Sequence, residues 1–218
     1  IADLADIHHW MGDHEASMEL YEQSMSNVPK QSQRYYGNLL NMGVVFNEMQ
    51  NREKAKEYLI KGTELAQEAG DEEAVNTGFT NLGIIMMWQG HHDVALQCFM
   101  HNLKHHQKTK NIKFAANAMN NIANTYVKMA QYDKAEEWAI KAVEAYDSIR
   151  ANLSSSTSRA GVQASLPDAY TVLAWTHVLQ NEIPQAFEAI ERMRARSFLD
   201  LIGSKQGKRN QNSIDRIK

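Results

Sequence analysis

The chain has few of the residues that interrupt or staple a polypeptide. One cysteine, Cys98, in 218 residues excludes an internal disulfide framework and a metal site built from cysteine alone, and it suits a reducing compartment. Three prolines and eleven glycines leave long segments without a breaker, which favours helices. No apolar run approaches the roughly 18 to 20 residues that a membrane-spanning helix needs. The opening residues lack the basic, apolar, small-residue order of a signal peptide, so a cytoplasmic setting without membrane attachment is the expectation. Basic residues are scarce in the body of the chain. Net charge is −3, yet seven Lys/Arg face two Asp/Glu from Arg194 onward, which leaves −8 before that point. A patch-type nucleic-acid binder needs a basic body, so nucleic acid is not expected as a partner except through the basic tail, 204–218.

With 43 % apolar and 22 % charged residues, the chain has the composition of a globular protein able to bury a core. The apolar residues are ordered in columns. Gly43, Gly83, Ala123 and Ala174 form a column of small residues, each preceded by an apolar one: Met42, Leu82, Ile122 and Leu173. Leu39, Phe79, Met119 and Tyr170 lie three residues further back, and Phe46, Met86, Tyr126 and His177 lie three after the small residue. This spacing puts the four columns on one face of an α-helix. Twelve residues after the small column, Ala55, Ala95, Ala135 and Ala186 open a second helix, which continues with Leu59, Phe99, Ala139 and Ile190. Each unit is a helical hairpin in which small residues let two helices approach closely.

These offsets resemble the tetratricopeptide repeat, whose signature runs from a large residue through leucine-glycine and an aromatic to alanine with a period of about 34. Here the first three units repeat every 40 residues, so longer helices are expected. The longer form resembles the arrays of the kinesin light chain, of the Leu-Gly-Asn repeat adaptors of the spindle and of many bacterial proteins. The resemblance implies an all-α fold, a right-handed superhelical solenoid of about five antiparallel hairpins, used as a scaffold for protein or peptide binding.

The units are expected near 1–31, 32–71, 72–111, 112–150 and 162–203. In the first, Leu4, Ala5 and His8 align with Leu82, Gly83 and Met86. Ala16 there follows Ala5 by eleven positions, which predicts a turn one residue shorter. That unit reads as truncated, with apolar surface exposed and more chain or an assembly expected beside it. Ala123 and Ala174 are 51 residues apart, and the serine-rich stretch 151–161 supplies the excess as an inserted loop. Pro167 and Pro184 stand where helices should begin, which suits proline's fixed φ and missing donor.

No catalytic constellation is present. His101 and His105 share a helix face at i, i+4, but no carboxylate or cysteine at matching spacing completes a metal site. The stretch HNLKHH reads as the exposed end of a helix, and His91 and His92 as turn residues. Cys98 sits in a regular helix beside the Phe99 column, without the basic partner a reactive thiol needs. The serines of SSSTS lack a nucleophile-elbow context, and no phosphate-cradling loop occurs. Neither an enzyme activity for this segment nor a cofactor or metal is expected.

Asn41, Asn81 and Asn121 recur every 40 residues, although asparagine is a poor helix former. In an array of the kind this sequence resembles, positions two before and one after the small residue turn toward the concave groove. That places Asn41, Val44 and Asn47, then Thr77, Asn81, Ile84 and Trp88, then Asn117, Asn120, Asn121, Asn124 and Lys128, and finally Asp168, Thr171 and Trp175 along the groove. A side-chain amide both donates and accepts, and in the arrays resembled here groove asparagines clamp the backbone of an extended peptide. The expected peptide-binding residues are Asn41, Asn81, Trp88, Asn117, Asn120, Asn121, Asn124, Lys128 and Trp175. The tryptophans would seat apolar side chains, and the scarcity of basic residues disfavours a strongly acidic ligand.

The closing stretch AFEAIERMRARSFLDLIGSK carries an apolar stripe of Ala189, Met193, Phe198, Leu201 and Ile202. It is similar to the E-R-x-R-A-R-x-L-L-D-L segment that joins tetratricopeptide arrays to caspase-like CHAT proteases, including partners of some RNA-guided CRISPR effectors. The alternative function implied is the regulatory or sensor array of such a protease, with its histidine and cysteine beyond Lys218.

Overall fold

The computed structural model describes the backbone of residues 1–151, 166–196 and 198, and all regular structure among them is helical. The loop expected at 151–161 falls outside the described residues from 152 onward, as do Leu201, Ile202 and the basic tail. Two compact units divide the chain, Ile1–Asn102 and Leu103–Lys218. The first contains α1 (Ala2–Trp10), α2 (His14–Met25), α3 (Gln33–Glu48), α4 (Arg52–Glu68), α5 (Glu72–Trp88) and the start of α6 (His92–Lys108). The second contains the end of α6, then α7 (Ile112–Lys128), α8 (Tyr132–Ala151), α9 (Leu166–Leu179) and a closing helix over 183–196. Helices α3 to α7 are 16 or 17 residues long. With three-residue turns between them, this length accounts for the 40-residue period.

Each turn stops one helix and starts the next. The residue two before the following helix takes a left-handed conformation at Gly12, Gln50, Gly70, Gly90, Lys110, Ala130 and Asn181. The amide after it bonds back to the carbonyl five residues earlier, as in Asp13 N to His8 O (2.9 Å), Asn51 N to Phe46 O (2.8 Å) and Glu182 N to His177 O (2.8 Å). This is a Schellman closure, which satisfies carbonyls that a helix end leaves open. Asp13, Asn51, Asp71 and Asn111 then cap the next helix, their side chains accepting an amide of its first turn. Such a cap contributes about 1 kcal/mol.

The same closure corrects the register of the first hairpin. Its turn is as long as the others, and the residue in the small column of α2 is Ser17, fully buried, while Ala16 is half-buried. An alanine at the neighbouring position drew the alignment one residue out of place.

Within the first unit α1 pairs with α2 and α3 with α4, and α3 also packs on α2 and α5. Ala5, Tyr21, Met42 and Val45 form one buried cluster; Leu40, Phe46, Ala55, Leu59 and Ile85 form another. The seam of a hairpin is tightest at the small column. A methyl group on Gly43 would stand 2.6 Å from Leu59 Cγ, and one on Gly83 would stand 2.7 Å from Phe99 Cε1. In the second unit α7, α8 and α9 pack on one another around Ala116, Ala123, Ala139, Tyr146, Ala169 and Tyr170. Leu4, Ile7 and Trp10 of α1 are exposed. Ile190 departs from its column. It is 39 % exposed where Leu59 and Phe99 are fully buried.

Gly43→Ala is expected to destabilise the first unit by about 1 to 3 kcal/mol, since the added methyl overpacks the seam, read as a lower urea midpoint by circular dichroism. Ala130→Gly should shift the midpoint the other way by about 1 kcal/mol, because glycine adopts the left-handed turn conformation without steric cost.

Candidate functional site

The first unit carries an open groove of about 1050 Å³. Asp3 and Asp6 on α1, Ser24 on α2, Gly37, Asn38 and Asn41 on α3, and Asp71, Glu73 and Thr77 at the start of α5 line it, with Arg34 and Tyr36. Asn41 and Thr77 were expected in a groove from their columns. The acidic residues were missed, although Asp3 and Asp6 stand two before and one after Ala5, the positions that the same rule marks in every unit.

Buried tyrosines hold the groove's carboxylates in place. Tyr21 is fully buried and donates its hydroxyl to Asp6 Oδ1, which also accepts the Asn41 amide at 3.3 Å. Tyr36 donates to Asp71 Oδ2 at 2.7 Å, while Asp71 Oδ1 accepts from the Ala74 amide. Burial, then the hydrogen bond and charge of Asp6, push the Tyr21 hydroxyl well above its ordinary range. Burial and Asp71 push Tyr36 in the same direction. Both phenols therefore remain protonated donors at neutral pH.

The second unit presents a different face. Asn117, Asn120, Asn121, Asn124 and Lys128 lie along α7 in a single stripe, in which 117/121, 120/124, 121/124 and 124/128 are three or four residues apart. The four asparagines are half-buried and Lys128 is exposed. Asn117 is engaged, its amide oxygen accepting the hydroxyl of buried Tyr146. Among the described residues the side-chain amides of Asn121 and Asn124 have no hydrogen-bond partner, and the buried amide oxygen of Asn120 has none either. In the first unit the Asn81 amide is likewise unpartnered among the described residues. Trp88 is 56 % exposed and Trp175 55 % exposed, each within its own unit.

The histidines are better ordered than their clustering suggested. His101 stacks on Phe79 with ring centroids 4.8 Å apart, and His106 is buried against Phe114 rather than exposed. The helix end that carries HNLKHH turns Asn102, Leu103 and His106 inward, a periodicity that its polar composition concealed. Glu136, His177 and Glu182 bring ligand atoms within 4.8 Å of one another. The 2.8 Å His177–Glu182 contact within this trio spans a turn, and His8–Asp13 spans the equivalent turn of the first hairpin at 3.2 Å. The geometry is that of a turn pair. Burial pushes the Cys98 thiol above its usual range, so it stays protonated and unreactive at neutral pH.

Comparison with known proteins identifies the repeat. Tetratricopeptide repeat family profiles match residues 36–68 and 74–148. These are tetratricopeptide repeats. No curated protein sequence matches the chain. Solved structures similar to it include BtubC (BKLC) from P. vanneervenii, at a TM-score of 0.73 and 21 % identity over 90 % of this chain and 78 % of that one. The nearly identical TPR-like repeats of a proposed kinesin light chain from Podosopora anserina align with a TM-score of 0.66 and 18 % identity, over 89 % of this chain and 91 % of that one. A signal-transduction ATPase of Pyrococcus horikoshii with a tetratricopeptide repeat sensor gives 0.74 and 18 %, over 94 % of this chain and 30 % of that one. At these identities the likeness is one of fold. No described helix of the tetratricopeptide array is long and apolar enough to cross a membrane.

Tyr21→Phe removes a buried hydrogen bond to a carboxylate, and the expected cost at neutral pH is about 1.5 to 3 kcal/mol. A phenol with a raised folded pKa contributes stability fully below its unfolded pKa of about 10 and loses it as pH rises further. Urea midpoints of the native chain should therefore fall above pH 10 more steeply than those of Tyr21→Phe.

Proposed function

We propose that this tetratricopeptide array is a scaffold that holds an extended segment of a partner protein, with the asparagine stripe of α7 gripping the segment's backbone. Tetratricopeptide repeats mediate protein–protein interaction, and nothing in the arrangement of the described side chains brings a nucleophile together with an activating base. The observation that carries the finer reading is the set of amides on Asn121 and Asn124, half-buried on a regular helix and unpartnered among the described residues. A polar group in such a place carries a desolvation cost unless a partner or water satisfies it. Each amide can take one donor and one acceptor from a peptide strand whatever its side chains, and Trp175 supplies an exposed aromatic surface in the same unit. Asn41 and Asn117 contribute differently in this reading: each is tied to a neighbouring helix and positions the face rather than gripping the ligand.

The test is a peptide selected from a display library against the intact chain, labelled and titrated by fluorescence anisotropy. Asn121→Ala/Asn124→Ala should weaken binding about thirtyfold, the loss expected for two net hydrogen bonds of about 1 kcal/mol each. N-methylation of the peptide's contacting amides should act similarly. Unchanged affinity with a native circular dichroism spectrum would remove the amide clamp.

A further inference from the structure

The groove of the first unit is lined by more acidic than basic side chains. Its floor includes Ser24 and Asn38, 8 % and 4 % exposed. The Asn38 amide nitrogen donates to the Tyr21 carbonyl at 3.4 Å, which leaves its oxygen without a donor among the described residues. The Ser24 hydroxyl has no hydrogen bond among them either. Neither atom is sealed from solvent, so both open into the groove they line. Around this floor stand four carboxylates, those of Asp3, Asp6, Asp71 and Glu73, with the guanidinium of Arg34 at the exposed rim and Ile1, the amino-terminal residue, also in the lining. Asp6 Oδ1 is occupied by Tyr21 and Asn41, so its second oxygen is available, and Asp3 has no partner among the described residues.

We propose that this groove takes an arginine-bearing extended segment of a partner protein, a ligand class that deepens the scaffold reading and rests on it. A guanidinium offers five donors in a planar fork and no acceptor. The groove offers the complement: the Asn38 oxygen below, carboxylate oxygens at the sides and the ambivalent Ser24 hydroxyl. Four carboxylates in one concavity also raise the local potential that draws a cation in, because low-dielectric walls focus the field. An acidic segment meets the same field with the opposite sign. Tyr21 and Tyr36 keep Asp6 and Asp71 oriented before any ligand arrives, so little ordering is left for binding to accomplish.

Fluorescein-labelled peptides of alternating arginine and alanine, with glutamate–alanine and lysine–alanine counterparts, test this on the intact chain. The arginine peptide should bind, bind more tightly than the lysine peptide, and weaken steeply between 50 and 300 mM salt. The glutamate peptide should not bind. Asp3→Asn/Asp6→Asn keeps an acceptor for Tyr21 and should weaken the arginine peptide at least tenfold. Gly37→Phe fills the groove from a position where an added Cβ meets no atom within 4 Å, and should abolish binding while the helical spectrum is retained. Asn121→Ala/Asn124→Ala should leave this peptide unaffected, so the α7 clamp and the acidic groove stand or fall separately. Equal affinity for arginine and glutamate peptides, or arginine binding that survives Gly37→Phe, would overturn the proposal.

Discussion

The architecture rests on how closely two helices can approach at the small-residue column of each hairpin. With no side chain on Gly43 or Gly83, Leu59 and Phe99 lie directly against the backbone of the preceding helix. Where alanine replaces glycine, at Ala123, the facing residue of α8 is Ala139 and both are fully buried. Volume is thus conserved across the seam in two ways, glycine against a large residue or alanine against alanine, as dense interior packing demands. A helix of 16 or 17 residues is marginal alone in water. The seam and the stacking of neighbours make it stable.

The buried tyrosines connect that packing to the polar face. Tyr21, Tyr36, Tyr146 and Tyr170 are at most 3 % exposed, and their hydroxyls end on Asp6, Asp71, Asn117 and Asp147. Each ring contributes apolar area to the core while its hydroxyl reaches an oxygen acceptor on another helix. Core packing therefore dictates the orientation of two groove carboxylates and of one asparagine on the α7 stripe. A polar face fixed from behind in this way presents its remaining acceptors in set directions, which a bound chain can match without reorganising them.

The columns in the sequence were enough to mark the hairpins, because burial at spacings of three and four residues is a local property that follows from helical geometry. They failed where burial depends on a neighbour. Ile190 keeps its column and is exposed, while His106 and Asn102 are polar by composition and buried by position. Ser17 shows a third kind of failure. A serine can fill a small-residue slot as well as alanine can, and the alignment followed residue type when the turn geometry decided the register. The asparagine stripe on α7 was visible from spacing alone; which amides are spent inside the fold was not, because Asn117 is taken by a tyrosine 29 residues later in the chain.

What the sequence by itself determined is the repeat: small residues at 40-residue intervals in Gly43, Gly83 and Ala123, apolar neighbours on one helix face, and an alanine column opening each second helix. All of these act within a single hairpin. Tertiary structure decided the chemistry of the groove. Asp6, Asn41 and Asp71 are separated by 35 and 30 residues in the chain, and they line one concavity only because α1, α3 and α5 are brought to it together. Charge at that site is a sum over helices, and no pattern within one helix contains it.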